Sequence, residues 1–383
     1  MKRLLLFVLI IAISATPIWA SGEENVTVSV GIDDLPALSA ILIDLDSGSV
    51  LFEKNADARL APASVTKIMT MLLVSIAVNE GKISFSDTVT ASEHACSMGD
   101  SQIYLKVGEQ MTVEDLFKSV AIASANDAAV ALAEYVGGSE DVFVGLMNQK
   151  AKELGMVNTC FKNACGLDED GHYTSARDIA IMSRAFSALP QAHLYATTWM
   201  DSVRGGEFEL VNTNKLVRLY NGITGLKTGS TGKAKFCLSA TAERDGRRLC
   251  AVVMACENAD LRFQSAQALL DHGFAAFEQI QLVGEVELVD IPVLYGESES
   301  LTPVLSQGGS VLIPRGGAER VERILSIPGS LCAPIAEGVK VGELKVYLDG
   351  ELLGTVDVVA SHGIKKLGFF KAFGRLIKAF GLF

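Results

Sequence analysis

Three short runs in this sequence have the residue types for serine acyl transfer: Ser64-Val65-Thr66-Lys67, Ser124-Ala125-Asn126 and Lys227-Thr228-Gly229. Ser124 lies 60 residues beyond Ser64, and Lys227 lies 103 beyond Ser124. A serine hydroxyl is a weak nucleophile until a base removes its proton. Ser64 and Lys67 stand three residues apart, a spacing that puts both on one face of a helix. Lysine acts as that base only where burial or nearby positive charge lowers its pKa. A serine at a helix start also presents its own backbone N–H to a developing oxyanion. The S-x-x-K pattern recurs by chance, and Ser230-Thr231-Gly232-Lys233 is a second copy. That copy contains a glycine and opens no long apolar helix.

The other two runs have two readings each. Asn126 and Asp127 suit a helix cap. Alternatively, the Ser124 hydroxyl relays a proton toward a leaving amine, and the Asn126 amide holds a substrate amide. Lys227-Thr228-Gly229 is either a solvated turn or the entry to a hairpin. An exposed strand edge there would pair with an extended peptide. Lys227 would then supply charge near the nucleophile and Thr228 would bond a substrate carboxylate. Gly229 would remove a side chain that blocks close approach.

Several elements must position these runs. Residues 40–44 and 48–52 read as strands around Asp46-Ser47-Gly48. Residues 68–78 read as a helix ending at Gly81, and helical spacing returns over 113–123, 128–136 and 176–188. Residues 236–242 and 247–255 form a hairpin around Asp245-Gly246, followed by a helix near 261–272. Strands at both ends with helices between predict an α+β domain, one antiparallel sheet covered by a helical cluster. From 281 to 360 short strand-like runs alternate with turns, which predicts a small all-β domain.

The chain is 383 residues long with a net charge of −12, which argues against nucleic acid as a partner. Lys2 and Arg3 precede an apolar stretch at 4–13, with Pro17 and Ala20 after it. That predicts a signal peptide over 1–20 and export of the rest. An odd count of seven cysteines leaves at least one unpaired within the chain, and no pair has zinc-site spacing. No metal and no cofactor are expected. The end of the chain, 361–383, is basic and rich in phenylalanine. On a wheel of about 100° per residue, Phe369, Phe373, Leu376, Ile377 and Phe380 share one face, opposite Lys371, Arg375 and Lys378. This predicts an amphipathic helix lying on a membrane surface, cations toward anionic headgroups.

S-x-x-K, an S-x-N run and K-T-G in this order are the motif set of class A β-lactamases and penicillin-binding proteins. The flanks narrow the choice. Ala63 to Thr70, Ser124 to Ala129, Gly166-Leu167-Asp168 with His172-Tyr173, and Gly225 to Gly229 resemble the low-molecular-mass penicillin-binding proteins, the serine-type D-alanyl-D-alanine carboxypeptidases of peptidase family S11. The resemblance spans roughly residues 35–280, and the β-rich segment and basic tail resemble that family's second domain and anchor. It implies a transpeptidase-like fold and removal of the terminal D-Ala from peptidoglycan stem pentapeptides through a Ser64 acyl-enzyme. It implies Lys67 as general base, with Ser124 and Lys227 as a proton-relay and electrostatic pair. It further implies an oxyanion hole from the backbone N–H groups of Ser64 and Ser230, Arg262 near the substrate carboxylate, and acylation by β-lactams. A class A β-lactamase would need an acid to activate the deacylating water. Lys162 and Asn163 occupy the region where that acid is expected.

Overall fold

The computed structural model describes residues 31–379. The predicted signal peptide lies outside the described residues. The first region is built on a five-stranded antiparallel sheet. Its order is Val50–Lys54, Ser39–Asp44, Arg247–Cys256, Lys235–Arg244, Ile223–Thr231. Every residue of Ser39–Asp44 is buried. Its alternating side chains feed two cores: Ile41 and Ile43 face one, Ala40 and Leu42 the other. The sheet is covered on both faces, so this strand reads as a continuous apolar run.

On one face lie the helices Lys67–Asn79, Val113–Ala123, Asn126–Gly137, Glu140–Glu153 and Ala176–Ser187. On the other lies Ala259–Ala276, whose Phe263, Ala266, Leu269 and Leu270 pack against Leu238, Leu249 and Val253. The helix Lys67–Asn79 is apolar almost all round, with ten buried residues. This is the pattern of a helix enclosed by others. The Lys227 run is itself a strand, Ile223–Thr231, at the edge of the sheet. The sequence reading set this run at the entry to the hairpin with a strand edge exposed there.

The second region is all β apart from the single turn Ala318–Arg320. Its four-stranded sheet runs Pro303–Leu305, Glu351–Ala360, Lys340–Leu348, Val321–Ser326. The strand Phe277–Gln281 leaves the Ala259–Ala276 helix directly and pairs with Ser310–Pro314. Arg247 ties the two regions at this joint by donating to the carbonyls of Phe274 and Phe277 at 2.9 and 3.0 Å.

The tail differs from its sequence reading in two respects. Ile364 and Lys366 bridge to Ile335 and Gly296, and Ile364 is buried in the β-domain core. The helix therefore begins at Phe369 and runs to Ala379. Its cations do not all point away from the protein. Lys371 pairs with Glu297 at 2.8 Å, and Arg375 donates to the carbonyls of Gly296 and Glu297. Phe369, Phe370 and Phe373 remain exposed, and the Phe369 and Phe373 rings stack at 6.4 Å.

Candidate active site

Ser64 sits in the single helical turn Ala63–Thr66, which feeds straight into the Lys67–Asn79 helix. Pro62 precedes that turn, and Ala63 is held at a positive φ of 48°. A non-glycine residue is strained there, and such strain persists only where surroundings over-determine it. Two glycines do so. A Cβ at Gly229 would stand 3.0 Å from the Pro62 carbonyl and from the backbone nitrogens of Ser64 and Val65. A Cβ at Gly166, where φ is +89°, would overlap the Ala63 carbonyl. The turn bearing Ser64 is thus gripped between a strand and a loop, and only glycine allows either to come so close.

Lys67 is completely buried, and its ammonium has three oxygen partners. It donates to Ser64 Oγ at 2.8 Å, Asn126 Oδ1 at 2.6 Å and the Cys165 carbonyl at 2.7 Å. Burial lowers its pKa to about 8, against the opposing pull of Cys165, Asp100 and Asp127. A lysine so placed reaches the neutral form near physiological pH. Two N–H bonds would then hold it to Asn126 and Cys165 and leave its lone pair facing the Ser64 hydroxyl.

Asn126 does not cap a helix with its side chain. The cap position is Ala125, which makes no side-chain cap bond. The Asn126 amide spans from Lys67 to the Gly99 carbonyl, donating to the latter at 2.8 Å. Asp127 accepts from the backbone N–H groups of Ile103 and Leu105, fixing the loop that carries Asp100 and Ser101. Ser124 is buried in the left-handed conformation, φ 64°, that ends one helix two residues before the next begins.

Lys227 is buried on the edge strand, one residue before Thr228, whose hydroxyl donates to Thr213 Oγ1 at 2.7 Å. Burial pushes the Lys227 pKa well down, and the neighbouring charges of Lys67 and Arg262 push it further. The first and third motifs are therefore electrostatically coupled. Ser230 is exposed and follows Gly229 past the Ser64 backbone. Arg262 is buried on the opposite side of the strand. It donates to the Gly229 carbonyl at 3.2 Å, with its guanidinium over the Phe236 and Phe263 rings. In this conformation its contacts are with the strand backbone.

A cleft of about 790 Å³ opens along the end of this strand, lined by Asp100, Ser101, Leu167, Asp168, Ser230, Thr231 and Gly232. Asp168 fastens its two sides together, accepting from Thr231 Oγ1 at 2.7 Å and from the Lys233 N–H at 3.2 Å. Asn163 shapes the loop beneath, its Oδ1 accepting from the N–H groups of Gly166 and Leu167. His172 braces the Ser64 turn through Thr66 Oγ1 at 3.1 Å. The Lys162 N–H donates to Nδ1, so the ring is neutral with its proton on Nε2, and burial lowers its pKa to about 4. Sequence reasoning missed Thr213, Asn163 and the Cys165 carbonyl. The last is a backbone atom and has no residue-type signal.

An α+β sheet domain with a serine–lysine pair gripped at its edge strand is the architecture of the penicillin-interacting serine enzymes. The family model for D-alanyl-D-alanine carboxypeptidase matches residues 25–258, and that for the penicillin-binding protein 5 C-terminal domain matches residues 277–366. D-alanyl-D-alanine carboxypeptidase DacF of Bacillus subtilis is 44% identical over 338 residues, 87% of each chain. DacC of Escherichia coli is 36% identical over 86% of this chain and 84% of its own. Penicillin-binding protein 5 of Haemophilus influenzae superposes with a TM-score of 0.78 at 31% identity, covering 87% of this chain and 98% of that one. The chain belongs to the D-alanyl-D-alanine carboxypeptidase family.

Proposed function

We propose that this enzyme removes the terminal D-alanine from peptidoglycan stem pentapeptides, with Ser64 as nucleophile and Lys67 as its general base. The observation that carries the reading is the buried Lys67 ammonium, 2.8 Å from Ser64 Oγ, with a pKa lowered to about 8. Neutral Lys67 takes the hydroxyl proton as Ser64 Oγ attacks the carbonyl between the two D-alanines. The backbone N–H groups of Ser64 and Ser230 receive the oxyanion. Ser124 and Lys227 pass a proton to the departing amine, and D-alanine leaves. Water then hydrolyses the ester and regenerates Ser64. Asn126 serves the substrate as well as Lys67, and Thr228 faces the terminal carboxylate. Arg262 contributes positive charge from behind the strand. The edge position of Ile223–Thr231 supports pairing with the substrate backbone. β-Lactams, whose ring amide imitates the scissile bond, acylate the same serine.

The site is assigned to a catalytic domain over 26–280 and the β domain to 281–360, with export to the outer face of the cell membrane. Among the described residues no helix is long and apolar enough to cross a membrane. The exposed Phe369, Phe370 and Phe373 support surface attachment through the last helix. The test is D-alanine release from a pentapeptide ending in D-Ala-D-Ala. Wild type should release it, and Ser64→Ala should neither release it nor bind penicillin covalently. Full labelling of the variant would remove Ser64 from its role.

A further inference from the structure

We propose that Glu140 is a positioning residue for acyl transfer: it holds the backbone of the 164–166 loop whose Cys165 carbonyl orients Lys67. The proposal rests on the reading of Lys67 as base. Glu140 opens the helix Glu140–Glu153, behind the Ser139 cap, outside all three motifs and 14 residues beyond Asn126. Its Oε1 accepts from the Ala164 N–H at 2.8 Å, and its Oε2 meets His94 Nε2 at 2.6 Å. The carboxylate is thereby fixed at both oxygens, and its side chain is only 13% exposed. Bonds of a carboxylate to N–H donors are among the stronger hydrogen bonds, and a helix N-terminus favours the negative charge.

The next link is short. One residue after Ala164, the Cys165 carbonyl accepts from Lys67 Nζ at 2.7 Å. The Ala164 carbonyl accepts from Thr70 Oγ1 at 2.6 Å, one helical turn beyond Lys67. Glu140 and the Lys67–Asn79 helix thus hold one peptide segment from opposite sides. Without Glu140 the segment keeps Thr70, Asn163 and Lys67 itself but loses the acceptor that fixes the Ala164 N–H. The Cys165 carbonyl would then swing, and Lys67 would lose an acceptor that favours its protonated form. The ionisable groups facing Lys67 are the Cys165 thiol, Asp100, Asp127 and Lys227; the Glu140 charge raises the pKa of the Cys165 thiol, which burial already holds in its neutral form.

The experiment is the pH profile of the acylation rate with a fluorescent penicillin. Wild type should lose rate on the acidic side of the Lys67 pKa. Glu140→Ala should acylate about tenfold more slowly, the effect of losing one supporting hydrogen bond, and its acidic limb should move to lower pH. Glu140→Gln keeps an acceptor for Ala164 and should restore both rate and limb. Glu140→Asp keeps the charge but falls short of Ala164; it should behave as Glu140→Ala and replaces it if that variant does not fold. A Glu140→Ala or Glu140→Asp profile matching wild type in rate and limb would overturn the proposal. So would equal damage from Glu140→Gln, which would locate the effect in charge. A wild-type profile with no such limb would instead remove Lys67 as base and take this proposal with it.

Discussion

Among single residues, Lys67 stands out as a lysine whose environment conflicts with its charge. Burial disfavours the Lys67 ammonium, while Ser64 Oγ, Asn126 Oδ1 and the Cys165 carbonyl solvate it in place of water. The conflict has a stability signature. A pKa reduced from 10.5 to about 8 corresponds to about 3 kcal/mol of destabilisation at neutral pH. The sign follows from proton counts. Between pH 8 and 10.5 the unfolded chain holds this proton and the native one does not, so stability from this group rises with pH. Denaturant titrations of wild type and Lys67→Met should show wild type gaining about 3 kcal/mol relative to the variant from pH 7 to 10.5. A constant difference would mean that Lys67 keeps an ordinary pKa in the folded protein. The serine–lysine pair was legible in the sequence because both side chains come from one turn. Asn126 was legible only as one of two readings, since capping and catalytic roles differ only in what lies across from the helix.

At the scale of elements, the site is where a strand, a loop and a helical turn meet at backbone distance. Gly229 and Gly166 enforce that approach, and each supports a distinct expectation. Gly229→Ala puts a methyl 3.0 Å from the Ser64 and Val65 nitrogens. The turn must shift, and penicillin acylation should fall at least roughly tenfold, about 1.4 kcal/mol, with the fold retained. Gly166→Ala combines a φ of +89° with overlap of the Ala63 carbonyl. It should cost about 1–3 kcal/mol or more in denaturant unfolding. Gly229 was readable as a close-approach glycine because it stands beside Lys227 and Thr228. Gly166 was noticed only through family resemblance, since nothing local announces that its neighbour is Ala63. The sheet and most helices were legible from periodicity. The full length of the strand Ile223–Thr231 was obscured by its two glycines, which weaken strands, and by Lys227 and Ser230, which are polar.

At the scale of the whole molecule, a catalytic domain is carried on a β domain that ends in a helix with an exposed phenylalanine face. The sequence showed the amphipathic tail but not that Lys371 and Arg375 grip the Gly296–Glu297 loop. Amphipathicity gives a helix two faces without saying which one the protein uses. Docking by the basic face leaves Phe369, Phe370 and Phe373 exposed, and the proposed surface attachment would place these rings in the interface. Ending the chain after Gly368 spares the buried Ile364. It should abolish sedimentation with anionic vesicles while leaving D-alanine release in solution unchanged. Continued sedimentation would move attachment to another part of the protein. Acylation of Ser64 can be read by mass spectrometry of the protein mixed with penicillin. One adduct per chain should appear, confined after proteolysis to the peptide containing Ser64 and absent from Ser64→Ala. An adduct on any other residue, or none under conditions where D-alanine is released, would contradict it.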